Sequence, residues 1–429
     1  MDTFYKRAHA LQIFGAAIDA VHPSNLISTY LSLDDDRLLA GENILSFSQF
    51  ENIYVAGAGK ASAAMAFEVE NILQHHIKES VVVVRDQFPF KLKHTRMIIG
   101  GHPLPDTHSV IAAEEITKLL RKIRKNDLLI FLLSGGASSL MTDIPEECTL
   151  SEVNTIFDKL IKSGAAIHEI NTVRKHLSKL KGGQLVKQCS GAAVVSLIIS
   201  DVPENDLQVI GSGPTVGDQS TFRDAMQTLD KYGLLKTAPY SIINHLQKGL
   251  DGNIEENPKP GDRIFAKTHN KIIADNKKAL DAAKTAAEQL GYEVQIITES
   301  LQGLAEEAAT SWIEDARSQQ RKNICLLAGG ETTVHVKGNG KGGRNQQFAL
   351  AAATALKNYS EITLLAAGTD GSDGPTDVAG AIIDSSTYNE HAEQYLQNND
   401  AYNFFIEYGG LIKTGATHTN VMDLVVTLI

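Results

Sequence analysis

Glycine-rich turns that follow short apolar runs carry the residues of this sequence best suited to chemistry. Gly57-Ala58-Gly59-Lys60 follows an apolar run at 53–56, and Ser134-Gly135-Gly136 follows one at 128–133. Glycine lets backbone amides approach a phosphate group, and a lysine adds positive charge. We therefore predict nucleotide or phosphate contacts at Gly57, Gly59, Lys60, Ser134, Gly135 and Gly136. The alternatives are a solvated lysine and a turn that only packs a strand against a helix.

A third segment, from Gly338 to Arg344, is the most glycine-dense part of the chain and precedes a helical pattern. It contains Lys341, Gly343 and Arg344. Arginine placed against developing negative charge is a recurrent device in phosphoryl transfer. We predict a mobile loop that closes over phosphates through these residues. The alternative is a glycine-rich hairpin with incidental cations.

Carboxylates follow two further apolar runs. Asp201 comes directly after residues 193–200, and Asp370 lies in the turn that follows residues 363–367. An aspartate at a strand end near a nucleotide is suited to bind Mg²⁺ or to act as a general base. The alternative for each is an Asx turn or a helix cap.

A basic segment at 170–183 contains Arg174, Lys175 and His176 in succession. Consecutive residues do not share one helix face, so some of the three are expected at the surface. One cation, Arg174, is a candidate to bind a carboxylate or phosphate. A solvated basic helix is the alternative.

Short apolar runs alternate with helical patterns along the chain of 429 residues. This alternation predicts an α/β protein whose sheets are mainly parallel and covered by helices on both faces. The pattern weakens in a polar, turn-rich stretch at about 235–262. We therefore predict two domains, 1–240 and 241–429, with the active-site cleft between them.

The composition limits the classes of molecule that the protein is expected to bind. The net charge of −11 argues against nucleic acid and anionic membrane surfaces, which attract basic proteins. The chain has no long apolar run, and its N-terminal residues lack the apolar core of a signal peptide. Its cysteines, Cys148, Cys189 and Cys325, form no metal or disulfide motif. We expect a cytoplasmic protein that acts on small molecules. A homodimer is its candidate assembly.

Ten motifs in order resemble the class II glycerate kinases, the glycerate 2-kinase family whose C-terminal part is called the MOFRL domain. The resemblance runs from the N-terminal helix to residue 429. The motifs are VAGAGKASAAMA, GGHPLPD, LLSGGASS, INTVRKHLSKLKGG, ISDVPEND, GSGPT, LAGGETTV, GKGGRNQQ, AAGTDGSDGPTD and TGATHTNVMDL.

The resemblance implies two α/β domains around a cleft, ATP as phosphoryl donor, Mg²⁺, and 2-phosphoglycerate as the product made from D-glycerate. It also implies an N-terminal Rossmann-like domain and a C-terminal MOFRL domain, whose last segment is a candidate to pack back on the first. Lys60 and Arg344 resemble the main catalytic cations. Asp201, Glu331 and Asp370 resemble the acidic positions of the cleft. On this basis Arg174 and Glu331 are substrate-binding candidates, and Asp201 and Asp370 are Mg²⁺-ligand candidates.

The chain departs from the family pattern in a few places. Gln347 stands where glutamate is common, Ala137 where a third glycine is common, and Ala416 and His418 alter the TGPTGTNV run. These changes affect the expected nucleotide contacts.

Two other functions stay open at this point. The first is an NAD(P)H-dependent hydroxypyruvate reductase, although the first turn lacks the third glycine of the dinucleotide fingerprint and no clear acidic residue follows about 20 positions later at the end of a second strand. The second is a non-catalytic nucleotide sensor.

Overall fold

The computed structural model describes residues 3–319, 322–357 and 361–429, and the chain divides into two compact units. The Rossmann-like unit is Leu26–Ile273. The mixed-sheet unit joins the residues up to Asn25 with Ala274–Ile429.

The helices and strands alternate over most of the chain, as predicted. The helices are α1 (Thr3–Ala20), α2 (Pro23–Tyr30), α3 (Ser62–Leu73), α4 (Thr107–Leu120), α5 (Ala137–Leu140), α6 (Leu150–Lys162), α7 (Ile167–His176), α8 (Gln184–Gln188), α9 (Phe222–Lys231), α10 (Tyr240–Leu250), α11 (Asn276–Gln289), α12 (Ala305–Ser318), α13 (Arg344–Ala355), α14 (Ala392–Gln397) and α15 (Ala401–Tyr408). The strands are β1 (Leu31–Asp34), β2 (Arg37–Ala40), β3 (Asn43–Ser46), β4 (Ile53–Ala58), β5 (Ile77–Val84), β6 (Thr95–Ile99), β7 (Leu128–Ser134), β8 (Ala193–Ile199), β9 (Thr268–Ala274), β10 (Glu293–Leu301), β11 (Ile324–Gly330), β12 (Thr363–Gly368), β13 (Gly380–Asp384), β14 (Leu411–Ile412) and β15 (Asp423–Leu428).

The sheet of the Rossmann-like unit has the strand order β6-β5-β4-β7-β8-β9. The pairs β4–β5, β5–β6, β4–β7 and β7–β8 are parallel. Every residue of β4 and β7 is buried, which is typical of central strands covered on both faces. The predicted α/β class and parallel sheet are confirmed here. Because the chain order reverses between β4 and β7, this sheet has a topological switch point at which ligands commonly bind.

The sheet of the mixed-sheet unit has the order β10-β11-β15-β12-β13-β14. Only the β10–β11 pair is parallel, and the other four pairs are antiparallel. The prediction of a mainly parallel second sheet is therefore wrong. No helix connects β12 to β13, and a parallel connection needs such a crossover. The last strand, β15, inserts between β11 and β12 in the opposite direction.

The compact units do not divide at the predicted boundary of 240/241. Residues 241–273 belong to the Rossmann-like unit, and the residues up to Asn25 belong to the mixed-sheet unit. The turn-rich stretch belongs to the Rossmann-like unit, where Asn257 Nδ2 donates to Asp218 Oδ2 at 2.9 Å. Lys175 Nζ lies 3.3 Å from the other oxygen of that buried carboxylate. At the opposite end, α1 packs on α11, β12 and β15, so the N-terminal helix joins the mixed-sheet unit. The C-terminal strand β15 is part of the sheet of this unit. Its packing against the N-terminal domain stays a prediction.

Candidate active site

The first glycine turn, at the end of β4, places Lys60 two residues before α3, which begins at Ser62 rather than at the lysine. The backbone amide of Lys60 donates to the Gly135 carbonyl at 2.9 Å, and that of Ala61 donates to Ser134 Oγ at 3.0 Å. The Ser62 amide donates within the turn. Because these amides have protein partners, anion binding at this turn depends on the Lys60 side chain.

The glycines of the two turns have a geometric reason to be glycine. Gly59 has a φ of +127°, and a Cβ atom there would lie 2.2 Å from Ser134 Oγ. Gly136 has a φ of +86°, and its Cβ would lie 3.0 Å from the His102 ring. Gly57 lies inside β4, where a Cβ would meet the Leu132 carbonyl at 2.8 Å. The two turns therefore pack closely on each other. Close packing is the role that was given above as the alternative to phosphate binding.

Three predicted residues meet at one edge of the parallel sheet. Ala58 of β4 pairs with Leu133 of β7, and Ser134 pairs with Ile199 of β8. Lys60, Ser134 and the half-buried Asp201 therefore follow neighbouring strand ends. This edge contains the switch point of the sheet, where ligands of α/β proteins commonly bind. The predicted residues therefore lie at a favourable position for a ligand.

A chain of hydrogen bonds connects α7 to the second turn. Ser138 Oγ lies 2.8 Å from Ser212 Oγ, which donates to Asn171 Oδ1 at 2.9 Å. The same amide oxygen accepts from Arg174 Nη1 at 2.8 Å. The Arg174 guanidinium lies 4.8 Å above the ring of Phe157. Arg174 is thus held at a fixed position beside the helix that follows Gly136.

The expectation that part of the basic triplet lies at the surface is wrong. Lys175 and His176 are buried, and Arg174 is half-buried. Lys175 pairs with the buried Asp218, and His176 Nδ1 contacts the carbonyl of Thr172. Neighbouring segments cover α7 on several sides, so Lys175 and His176 contribute to structure rather than to a solvated basic face.

A second cluster, in the mixed-sheet unit, is centred on Arg344, the first residue of α13. Its Nε and Nη2 donate to the two oxygens of Asp423 at 2.5 and 2.9 Å, and its Nη1 donates to Glu331 Oε1 at 2.5 Å. Burial disfavours the charged guanidinium, but these carboxylates outweigh burial and raise the pKa of Arg344. Asp423 pairs in register with Gly330 of β11 and Gly368 of β12, so it sits between the ends of these strands.

Two aspartates of the turn after β12 have different roles. Asp370, which is 8% exposed, accepts from the amide and the hydroxyl of Ser372 through Oδ1, so this oxygen forms the Asx turn given as the alternative. The buried Asp373 accepts the amides of Asn345 and Gln346 at the start of α13. Burial raises the pKa of Asp373 to about 6, although these donors oppose the shift. A Cβ at Gly343 would lie 2.3 Å from Asp373, which explains that glycine by packing.

The segment before α13 has fixed partners, in contrast to the predicted mobile loop. The amide of Gly338 donates to Asn399 Oδ1 at 3.0 Å, and that of Lys341 donates to Asp400 Oδ1 at 2.8 Å. The Lys341 ammonium lies 4.3 Å above the ring of Tyr402. Lys341 therefore faces α15, while Arg344 faces Asp423.

Two protein families match separate parts of this chain. The model of a domain of unknown function (DUF4147) matches residues 9–247, and the MOFRL family matches residues 324–423. The glycerate 2-kinase of Pyrococcus horikoshii is 38% identical over 99% of this chain and 97% of its own length. The chain belongs to the MOFRL glycerate 2-kinase family. A crystal structure of glycerate kinase from Thermotoga maritima is 36% identical, covers 99% of each chain and superposes with a TM-score of 0.82. A protein of Agrobacterium vitis named as a putative hydroxypyruvate reductase is 38% identical over 87% of this chain.

Several residues that hold the predicted site residues in place were not evident from the sequence of this glycerate 2-kinase family member. Asp423 lies in the quoted motif TGATHTNVMDL, but nothing local in the sequence connects it with Arg344, which is 79 positions away. Asn171 and Ser212, which hold Arg174, also lie in quoted motifs. The only indication of these residues in the sequence was that each is a polar residue within a family motif. This is a weaker signal for a functional site than a charged residue at a strand end.

One departure from the family pattern affects packing. Gln347 Nε2 donates to Glu306 Oε1 at 2.8 Å and to the Leu396 carbonyl at 2.9 Å. A glutamate here would face the Glu306 carboxylate, whereas the amide donates to it. Gln347 thus connects α13 with α12 and α14.

Within the described ranges, no three His, Cys, Asp or Glu side chains form a group able to hold a metal ion. Mg²⁺ at a nucleotide site commonly takes one or two carboxylates and completes its coordination with phosphate oxygens and water. Single aspartates such as Asp201 and Asp370 are compatible with that pattern. None of the helices in the described part of the chain combines the length and the apolar character needed to cross a bilayer.

Proposed function

We propose that this chain transfers the γ-phosphoryl group of ATP to the 2-hydroxyl of D-glycerate, giving 2-phosphoglycerate and ADP. The observation that carries the proposal is similarity over nearly the whole chain to proteins named glycerate 2-kinase, at 38% identity in two organisms. Fixed cations and carboxylates at strand ends support it, because phosphoryl transfer depends on alignment and charge neutralisation more than on covalent chemistry.

Lys60 and Arg344 stabilise the transferred group in this proposal. Lys60 extends from a turn whose nearby amides donate to other groups of the protein, and we assign the phosphate contact of this turn to its ammonium. Asp423 fixes the Arg344 guanidinium through Nε and Nη2, so Nη1 is the nitrogen that meets phosphate oxygen. Glu331 contacts Nη1 here, and a phosphate group would replace that carboxylate.

Asp201 and Asp370 are the proposed Mg²⁺ ligands, because both are carboxylates at strand ends and oxygen is the donor that Mg²⁺ prefers. When bound, the ion neutralises charge on the ATP phosphates. A carboxylate of the same sets orients or deprotonates the 2-hydroxyl of glycerate. A cation, Arg174 or Lys60, pairs with the substrate carboxylate. The remaining phosphate contacts are assigned to Ser134, Gly135, Gly136, Lys341 and Gly343, whereas Gly57 and Gly59 allow the first turn to pack against β7.

One pair of assays distinguishes the proposed kinase from a hydroxypyruvate reductase. We expect the purified chain to release ADP from ATP and Mg²⁺ only when D-glycerate is present, and to release none with EDTA in excess. NADH absorbance should stay constant with hydroxypyruvate. Oxidation of NADH by hydroxypyruvate without ADP release would instead favour the activity named for the A. vitis relative. ATP binding with no ADP release for any hydroxy acid would favour a nucleotide sensor.

A further inference from the structure

A pocket of the Rossmann-like unit lies outside the strand-end residues described above. Residues 103–105, α5, α6 and α7 surround it, and its lining includes Ser138, Ser139, Asn154, Phe157 and Arg174. Because α5 directly follows Gly136, the pocket adjoins the second glycine turn. It therefore opens beside the switch point of the sheet.

The charge of Arg174 in this pocket lacks an acidic partner. Among the residues that the structure describes, the contacts of its guanidinium are Asn171 Oδ1 at 2.8 Å and the ring of Phe157 at 4.8 Å. Burial lowers the pKa of Arg174 to about 10. Arg174 is half-buried, and a charge that is partly removed from water without a counter-ion carries a desolvation cost that a bound anion would offset.

The other charged groups of the lining already have partners. Lys181 Nζ donates to the Met141 carbonyl at 2.6 Å and lies 3.5 Å from Asp143. Asp158 pairs with Lys162 at 2.7 Å. Arg174 is thus the lining cation that remains for a ligand.

Asn154 adds a second, independent feature. Its Nδ2 donates to the Pro105 carbonyl at 3.1 Å, which fixes the direction of the amide. Its Oδ1 is buried and has no hydrogen-bond partner. Buried polar atoms are nearly always satisfied, so this oxygen calls for a donor such as a ligand hydroxyl.

We infer that this pocket holds the acid end of the substrate, with Arg174 pairing with the carboxylate and Asn154 accepting a hydrogen bond from the hydroxyl that is not phosphorylated. The inference rests on the proposed function, because it supposes a small hydroxy acid as substrate. It makes Asn154 a specificity-determining residue, since a site built to bind a hydroxyl rejects an analogue that lacks it.

Steady-state kinetics and calorimetric titration with D-glycerate test this assignment. In Arg174→Met we expect the KM and Kd for glycerate to rise roughly 30-fold or more, as for truncation of one partner of a buried charge pair. In Asn154→Ala we expect a rise of about 5- to 10-fold. The KM for ATP should stay within about 2-fold of wild type in both, which a general structural defect would not produce.

The matched control is Arg223→Met, which removes an exposed arginine of α9. It should leave both constants unchanged. Arg174→Lys keeps the charge and provides a folded comparison should the Met variant be unstable, and we expect it to recover part of the glycerate affinity. Wild-type glycerate constants in Arg174→Met would overturn the inference, as would a parallel loss for ATP and glycerate. Lack of turnover in the wild-type protein would overturn the proposed function instead.

Discussion

Replacement of Lys60 by alanine is expected to lower kcat for glycerate phosphorylation at least ~100-fold, because preorganised charge at the transferred group acts mainly in the transition state. The structure sharpens this expectation. The amides of Lys60 and Ala61 donate to Gly135 and Ser134, so neither amide can substitute for the lost ammonium. The measurement is kcat from ADP release under saturating ATP and glycerate.

Lys125→Ala removes an exposed lysine of the same unit and serves as the control. It should retain wild-type kcat. A Lys60→Ala enzyme within a few-fold of wild type would remove Lys60 from the catalytic residues and leave the first turn with a packing role. Unchanged melting of the variant would show that lost activity does not reflect unfolding.

Replacement of Arg344 by alanine should likewise lower kcat at least ~100-fold. Arg344→Lys should recover little of it. A lysine ammonium is a point charge, and it cannot donate in parallel to both oxygens of Asp423 while also reaching Glu331. ADP release again gives kcat, and Lys284→Ala, an exposed cation of α11, is the control.

The Arg344 variants need a stability measurement, because removing one member of a buried ion pair leaves the other charge uncompensated. Asp423 is buried, so Arg344→Ala is expected to lower the free energy of unfolding as well as kcat. Arg344→Lys keeps a positive charge there and should unfold at a higher urea concentration than Arg344→Ala. A lysine variant with wild-type kcat would contradict the requirement for a guanidinium held by Asp423.

The sequence was informative wherever a local signal decides the structure. A short apolar run followed by glycine predicted the positions of β4 and β7, although β4 continues to Ala58, and parallel pairing then brought Lys60 and Ser134 to one edge. Asp201 follows the adjacent strand β8 for the same reason. In parallel sheets the carboxyl ends of the strands share an edge, so position along the chain was sufficient to group these residues.

Other features depended on contacts that are distant in sequence. The direction of β15 is set by its insertion between β11 and β12, and only this insertion brings Asp423 to Arg344. The segment that contains Lys341 was expected to move because it is rich in glycine. Its anchors, Asn399 and Asp400, lie about 60 residues further along the chain. Glycine content indicates conformational freedom, but partners in the folded chain decide whether that freedom remains.

A cytoplasmic location and a homodimer remain predictions. The domain assignment by sequence, 1–240 and 241–429, also differs from the compact units because α1 packs on the sheet that contains β15. One helix, α10, lies in the region where the sequence pattern weakens, and α9 lies just before it. Their apolar residues form a core with α6 and α7, which is a contact between helices that polar composition did not predict.

The most direct test is the position of the phosphoryl group on the product. The purified protein is incubated with ATP, Mg²⁺ and D-glycerate, and enolase is then added without phosphoglycerate mutase. Prompt formation of phosphoenolpyruvate is the predicted result, because enolase accepts the 2-phosphate. ADP release without phosphoenolpyruvate would mean that the 3-hydroxyl is phosphorylated, and this outcome would contradict the proposed glycerate 2-kinase activity.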